Sequence, residues 1–450
     1  MKLNRNIFLC AVLSAIVLLS ACGSSASDVV AKGDELFTKG DIDGAIAEYS
    51  KIIESNPKLV IAYNQRGAAY IIKGQYDSAI DDLNKSIELD NKQAVSYYKR
   101  GTAYLKLGNA DEAIKDFTKS VEIDPKQAVV YFDRGDAYLD IEKADLAIID
   151  FNKAIELDPS MARAFAYRGT AFYMQQKTEL AMADWNKAIT LDPKLSVAYA
   201  SRAEAQRSAG NFDQAIADLT KAIELSPNEA AYYFRRAFSY LGKDNMDSAV
   251  SDWTKAIEIN SKLVDAYYYR GLAYRDALQK YDLAVADLSK VIELIPTAAN
   301  VYNERGIAYM HLSKPDLAFN DWTKATEIDP KLLESWTNLA RYHNKLGEWD
   351  KAIEKATKVI DITIEYPDAF LARGWAYYHI EYFQSALQDI NQAIKLNPNL
   401  IEAYECRGTI YTTMNDKAKA IDDFKKIIEL TDDPAILQYA NERINELTKQ

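Results

Sequence analysis

Residues able to do covalent or metal chemistry are few and scattered in this chain. The three histidines, His311, His343 and His379, are far apart in sequence, and no His-x3-His or Cys-x2-Cys spacing occurs. Cys406 has no obvious histidine partner, and no Gly-x4-Gly-Lys loop is present to cradle phosphates. We expect Cys406 and His343 to be packed rather than reactive. The sequence therefore predicts no catalytic residues, no metal ligands and no cofactor, and the protein is predicted not to be an enzyme.

Twelve alanines recur at a nearly constant interval and define the elements of the fold. Neighbouring alanines are 34 residues apart, except for one step of 35. They are Ala45, Ala79, Ala113, Ala147, Ala181, Ala215, Ala249, Ala284, Ala318, Ala352, Ala386 and Ala420. A Gly or Ala precedes each by twelve residues (thirteen at the long step), and small residues at two such sites let two helices lie close together. This period predicts stacked helix pairs, an architecture that forms binding surfaces.

Aromatic residues, glycine and proline also recur at fixed places in each unit. With the small residue numbered position 8 and the alanine position 20, position 11 is mostly Tyr and position 24 mostly large and apolar. Positions 4, 8 and 11 then share one helical face, and positions 20, 24 and 27 share another. Position 15 is often Gly, where a left-handed residue ends a helix. Position 32 is often Pro after a short polar residue, which we expect to cap the next helix.

This pattern of helix A, turn, helix B, turn resembles the tetratricopeptide repeat. The resemblance covers residues 28–433 in twelve units. It implies an all-α fold, a right-handed α-α superhelix or solenoid, in which the A helices line a concave groove. Residues 434–450 are amphipathic, and we expect them to form a C-terminal capping helix over the last repeat.

Two charged positions vary together between the units. Position 7 is Arg in ten units, and an Asp recurs shortly after the alanine in the same ten. Examples are Arg134 with Asp150 and Arg168 with Asp184. Both members are absent from the tenth unit, which indicates that they interact. We expect a structural ion pair between helices A and B of one repeat.

The units differ most on the face of helix A that the resemblance places in the groove. Buried aromatic residues are favoured anchors for a protein partner. The candidates are Tyr98, Phe132, Tyr173, Phe234, Phe238 and Tyr268. Because Ala166 and Ala200 lie between two aromatic pairs at position 5, we expect a pocket there that binds an apolar or aromatic protein segment, either a helix or an extended peptide. In the alternative interpretation, these side chains pack on adjacent A helices inside the wall of the array.

The N-terminus has the layout of an export signal. Lys2 and Arg5 precede an apolar run over residues 7–19, which is too short to span a membrane comfortably. We therefore expect residues 1–21 to be a signal peptide. An ordinary secretory cleavage near Ala21 or Ala26 is one possibility for its removal.

The end of this segment offers a second possibility. Leu19-Ser20-Ala21-Cys22 resembles the lipobox of bacterial lipoproteins. The resemblance implies cleavage before Cys22 and attachment of lipid to its thiol, and two or more acyl chains would hold the chain stably at a membrane. Residues 22–27 would then be the lipidated cysteine and a short, flexible linker.

The overall charge narrows the choice of partner. The formal charge is -12, and removal of Lys2 and Arg5 with the signal peptide makes it -14. This argues against nucleic acid, whose binding depends on Lys and Arg. We expect a non-enzymatic scaffold that is lipid-anchored at the bacterial cell envelope and binds protein partners. It would lie on the outer membrane facing the periplasm in a Gram-negative organism, and on the outer face of the cytoplasmic membrane otherwise. A receptor that binds a small ligand or a glycan in the aromatic groove is the alternative.

Overall fold

A computed structural model describes residues 24–449 of the chain, with side chains from Val29 to Lys449. This part of the chain folds into 25 helices and contains no strand. The helices are α1 (Ser24–Thr38), α2 (Ile42–Ser55), α3 (Val60–Lys73), α4 (Tyr76–Leu89), α5 (Ala94–Lys106), α6 (Ala110–Ile123), α7 (Ala128–Asp140), α8 (Ala144–Leu157), α9 (Ala162–Met174), α10 (Thr178–Leu191), α11 (Ser196–Ser208), α12 (Phe212–Leu225), α13 (Ala230–Leu241), α14 (Met246–Ile259), α15 (Val264–Asp276), α16 (Tyr281–Leu294), α17 (Ala299–His311), α18 (Pro315–Ile328), α19 (Leu333–Leu346), α20 (Trp349–Ile362), α21 (Pro367–His379), α22 (Phe383–Leu396), α23 (Ile401–Thr413), α24 (Lys417–Leu430) and α25 (Pro434–Lys449).

The signal segment over residues 1–21 and Cys22 lie outside the described residues, so both remain predictions. Helix α1 begins at Ser24, inside the segment expected to be a flexible linker.

The chain divides into two compact units, one ending at Lys243 and the other beginning at Asp244. The first unit contains α1 to α13, and the second contains α14 to α25. Odd-numbered helices from α1 to α23 are the A helices, and even-numbered helices from α2 to α24 are the B helices. Within each unit, helices adjacent in sequence pack against one another. The order and type of the elements are those that the period predicts.

In the first unit, the A helices also contact one another across successive repeats. Helix α1 contacts α3, and the same contact recurs for each following pair up to α11 with α13. The B helices of successive repeats make no contact of comparable extent in this unit. Because the A helices lie closer together than the B helices, they form the inner, concave side of the unit. In the second unit, α19 contacts α21 and α21 contacts α23 in the same way.

The core of each hairpin lies between the small residue at position 8 and the large residue at position 24. A Cβ atom added to Gly135 would lie 2.6 Å from Phe151 Cε1, closer than atoms can pack. The twelve alanines at position 20 are fully buried. The recurring spacing of small and large residues therefore reflects the close approach of helix A to helix B. At the C-terminal end, α25 packs Ala440 and Leu447 into the cluster that contains Phe424 of α24.

The turn inside each hairpin has a left-handed residue at position 15 in all twelve repeats. Five of these residues are the glycines that the sequence indicates, among them Gly74 with φ 78°. The other seven are not glycine, among them Gln176 with φ 61°. The backbone N–H of Lys177 donates to Phe172 O at 2.9 Å, which closes this turn. The hydrogen bond therefore imposes one backbone conformation on the turn even where the residue does not favour it.

The expected role of the polar residue before proline is wrong. Asp124 is the C-cap residue of α6, and Gln127 is the N-cap residue of α7 and makes no side-chain cap. The Asp124 carboxylate instead accepts from the backbone N–H of Lys126 at 3.1 Å and from Gln127 Nε2 at 2.7 Å. Pro125 consequently lies in the turn between repeats rather than in the first turn of α7, because the Asp side chain orders the turn itself.

Candidate partner-binding groove

The side chains with catalytic or metal-binding chemistry occupy packing positions. His343 is buried, and its Nδ1 lies 2.6 Å from Glu348 Oε2. His311 stacks on Tyr281, and His379 stacks on Trp349. Cys406 is also buried, and burial raises the pKa of its thiol far above the usual range. No group of three or more potential ligands among the described residues could hold a metal ion.

The charges that covary in the sequence lie together between helices A and B. Arg134 on α7 donates from Nε and Nη2 to the two carboxylate oxygens of Asp150 on α8, both at 2.7 Å. Asp150 is only 2% exposed, and burial raises the pKa of its carboxyl. The third nitrogen, Nη1, donates to Thr118 Oγ1 on α6 at 3.1 Å. Each such arginine therefore joins three helices, including the B helix of the preceding repeat.

The same geometry recurs along the array. Arg168 pairs with Asp184 at 2.7 Å and reaches back to Asn152 Oδ1 at 2.6 Å. The further pairs at this place are Arg66–Asp82, Arg100–Asp116, Arg202–Asp218, Arg270–Asp287, Arg305–Asp321, Arg373–Asp389 and Arg407–Asp423. These charges serve the framework rather than a ligand site.

The floor of the groove is built by contacts between successive A helices. Position 5 of one A helix touches position 6 of the next. Tyr98 donates its hydroxyl to Asp133 Oδ2 at 2.9 Å, and the rings of Phe132 and Tyr167 meet edge to face at 5.1 Å. The same relation places Lys99 Nζ 3.1 Å from the backbone oxygen of Asn64 and joins Asn338 Nδ2 to Asn303 Oδ1 at 3.0 Å.

These contacts correct part of the predicted binding surface. Phe132 is only 2% exposed and packs inside the wall, against Phe151 as well as Tyr167. Ala166 and Ala200 are fully covered, and the backbone oxygen of Ala166 accepts from Trp185 Nε1 at 3.0 Å. The small size of these two alanines is therefore used in helix packing, and they do not line an open pocket.

The other predicted groove residues are half-buried. Tyr173 donates its hydroxyl to Ser208 Oγ of the next A helix at 3.0 Å. Phe234 and Phe238 meet edge to face at 5.1 Å on α13. Tyr268 belongs to the second unit, where burial raises its pKa. Of the six candidates, Tyr98, Phe132, Tyr173, Phe234 and Phe238 lie on A helices of the first unit.

Two buried ionisable residues at position 6 were not foreseen from the sequence. Asp133 is 2% exposed, and burial raises its pKa to about 7. Lys99 is 8% exposed, and burial lowers its pKa to about 8. Their signal in the sequence was a charged residue directly after an apolar or aromatic position 5, but position 6 had not been assigned to the floor of the groove.

The comparisons with known families agree with this architecture. Models described as TPR repeat match residues 33–71 and 67–108. Models described as tetratricopeptide repeat match residues 94–127, 132–196, 201–263, 265–297, 322–354, 367–400 and 401–434. The chain is thus a helical repeat protein, built as an all-α solenoid of helix hairpins. Within that class it belongs to the tetratricopeptide-repeat proteins, and the predicted fold class of about twelve such repeats is confirmed.

Several solved structures also resemble parts of the chain. The crystal structure of MamA is 30% identical over 36% of this chain and 95% of that chain, with a TM-score of 0.35. A tetratricopeptide repeat protein from Parabacteroides merdae is 20% identical over 56% of this chain and 99% of its own, with a TM-score of 0.48. YrrB, described as a TPR protein with an unusual peptide-binding site, is 20% identical over 41% and 95%, with a TM-score of 0.37. A comparison with curated proteins gives no match.

None of the helices from Ser24 onward is both long enough and apolar enough to cross a bilayer.

Proposed function

We propose that this protein is a non-enzymatic scaffold that holds a segment of a protein partner against the A helices of its first unit. The observation that carries the proposal is the concave side formed by α1, α3, α5, α7, α9, α11 and α13. A solenoid of this kind presents an extended concave surface for binding. The half-buried aromatic residues Tyr98, Tyr173, Phe234 and Phe238 on that side are suitable anchors for a partner.

The cellular half of the proposal is that the scaffold is a bacterial lipoprotein tethered through Cys22. Its support is the lipobox-like sequence Leu19-Ser20-Ala21-Cys22 after a short apolar run. Two or more acyl chains on this residue hold the protein at the envelope without any membrane-spanning helix. The acidic charge of the chain argues against electrostatic attraction to anionic lipid as the main tether.

Site-specific photocrosslinking in cells tests the binding face. A photoreactive phenylalanine analogue placed at Tyr173 or Phe238 should capture a partner protein. The same analogue at Glu122, whose side chain is 57% exposed on the B helix α6, is the matched control and should capture much less. Equal capture from all three sites, or none from the first two, would contradict binding in the groove.

Metabolic labelling with palmitate tests the anchor separately. The wild-type chain should incorporate the label and sediment with membranes, whereas Cys22→Ser should lose the label and the membrane association. If the wild-type chain remains unlabelled, the protein is not a lipoprotein, but the result leaves the crosslinking test of the groove unaffected.

A further inference from the structure

We infer that the outer side of the fourth and fifth repeats binds a second copy of this chain, so that the protein dimerises through the B helices α8 and α10. This surface belongs to the first unit and is separate from the groove, which the A helices form. The inference therefore goes beyond the proposed function, and either one can fail without the other.

An apolar surface is exposed where α8, α9 and α10 come together. Helix α9 packs against both α8 and α10. Met174 is the last residue of α9, whereas Leu146 and Leu180 lie in the first turns of α8 and α10. Ile149 follows Leu146 after one turn of α8. These four side chains are between 40% and 61% exposed. Large apolar residues that are grouped at the surface in this way mark a site of contact with another molecule.

A cleft opens at the same surface. It has a volume of about 540 Å³ and lies between the start of α8 and the end of α9, with Leu146 and Met174 among its lining residues. Ile149 and Leu180 are not part of this lining and project from the neighbouring surface. The patch thus carries both an opening and apolar side chains of a size to enter one. A symmetric contact between two copies requires both on one patch, because the patch must complement itself.

The charges on α8 and α10 are also self-complementary. Residues at intervals of four lie in one row along a helix. Each of these two helices has a row that begins with an acidic residue, continues with an apolar one and ends with a lysine. The rows are Asp145, Ile149 and Lys153 on α8, and Glu179, Ala183 and Lys187 on α10. When two such helices meet antiparallel, every acidic residue faces a lysine and the apolar residues meet in the middle. Lys153 already pairs with Glu156 at 2.6 Å, but this pair is exposed and competes only weakly.

Other repeats lack the apolar part of this pattern. The middle of the row is Asp81 in the second repeat and Lys115 in the third, where two copies would bring like charges together. In the second unit, two exposed leucines occur at the position of Leu146, but the residue at the position of Ile149 is small or polar. They are Leu283 with Ala286, and Leu317 with Asn320. The fourth and fifth repeats are therefore the part of the array that favours contact with a second copy.

Cysteine crosslinking of the full chain in cells tests whether two copies meet at this surface. Ala183→Cys places a thiol in the middle of the row on α10, and a short bismaleimide should join two chains into a species of twice the monomer mass. Ala47→Cys, at an exposed alanine in the same repeat position on α2, is the matched control. It should give no more dimer than the wild-type chain, which reports the background from Cys22 and Cys406.

Charged substitutions in the Ala183→Cys chain identify the contact. Leu180→Asp should lower the crosslinked fraction about tenfold, because it buries a carboxylate between the two copies. Leu317→Asp is the matched control, since Leu317 is an exposed leucine at the same repeat position in the second unit. It should leave the crosslinked fraction unchanged, and an equal loss in both variants would contradict a contact at α10.

An exchange of charges distinguishes a second copy from any other partner. One tagged copy carries Asp145→Lys and Glu179→Lys, and a differently tagged copy carries Lys153→Glu and Lys187→Glu, both with Ala183→Cys. Each copy alone should crosslink about tenfold less than the Ala183→Cys parent, because like charges then face one another. The two copies expressed together should crosslink to each other at the parental level.

Three results would overturn the inference. The first is equal dimer from Ala183→Cys and Ala47→Cys, or none from Ala183→Cys. The second is a crosslinked product of Ala183→Cys that contains a different protein instead of a second copy. The third is a failure of the two charge-exchanged copies to crosslink to each other. Partner capture from Tyr173 and Phe238 in the groove does not depend on any of these results, so the proposed function would still stand.

Discussion

Replacing Arg134 with leucine should strongly destabilise the first unit. The substitution removes the two hydrogen bonds of 2.7 Å to Asp150, which is left 2% exposed without its cation. Removing one partner of a buried ion pair costs about 3–5 kcal/mol, because the remaining charge stays buried and unpaired. We therefore expect a loss of this size in the free energy of unfolding of the full chain.

The double variant Arg134→Leu/Asp150→Leu should recover a large part of this loss. Exchanging both members for apolar residues leaves no buried charge behind, and such an exchange is often close to neutral. The tenth repeat supports this expectation, because Leu339 occupies the arginine position there and is only 2% exposed. Recovery should be incomplete, because Thr118 Oγ1 loses its donor and the guanidinium no longer lies over Tyr131.

The first repeat supplies a control at the equivalent position. Lys32 lies 3.2 Å from Glu48, but its side chain is 71% exposed. Exposed ion pairs contribute about 0–1 kcal/mol, and Lys32→Leu should therefore change stability little. Urea unfolding followed by circular dichroism gives the free energies, and hydrogen exchange of the amides in α7 and α8 locates the loss. A double variant whose loss equals the sum of the two single losses would refute the coupling between Arg134 and Asp150.

Three further perturbations probe the groove, the hairpin core and the turn. The folded state keeps the Asp133 proton up to about pH 7, whereas the unfolded chain loses it near about pH 4. This carboxyl should therefore stabilise the fold below about pH 4, and the contribution should be lost as the pH rises through about 7. The difference in melting temperature between wild type and Asp133→Asn should follow this curve, and a constant difference would contradict it. Gly135→Ala should cost about 1–3 kcal/mol in urea unfolding, because its Cβ would lie 2.6 Å from Phe151, and unchanged stability would show that the helices can separate without loss. Gln176→Gly should raise the free energy of unfolding by about 1 kcal/mol, because glycine adopts the left-handed backbone conformation without strain. Gln175→Gly, at φ -86°, should lower the free energy of unfolding, and a loss in both variants would contradict strain at this turn.

The framework could be predicted because its physical cause repeats twelve times. The constant interval of the alanines fixes the order of the helices, and the alternation of small with large residues fixes which faces meet. The turns were less predictable. Gln176 adopts the left-handed conformation that Gly74 adopts, because hydrogen bonding across the turn decides the backbone there and residue type does not. Asp124 could cap a helix or order a turn, and the sequence alone does not distinguish the two.

The groove was harder to predict because its contacts join different repeats. Covariation within one unit indicates the pairing of Arg134 with Asp150, but it does not indicate the bond from Arg134 to Thr118 of the preceding repeat. Side chains that share a helical face can point into solvent or against the next helix. Phe132 was therefore expected to be available to a partner, although it packs in the wall, and Asp133 was overlooked although it lies on the floor.

The arginine that joins three helices has a consequence for how such a chain can change in length. Each arginine reaches forward to its own B helix and backward to the one before, so the repeats that carry this arginine offer the same set of bonds to their neighbours. Duplication or loss of one whole 34-residue segment regenerates these bonds at the new boundary, whereas a cut elsewhere leaves a cation on one side and a carboxylate on the other. Addition of whole units therefore leaves no unpaired buried charge, and the array can be lengthened to suit a longer partner without redesign of its interior.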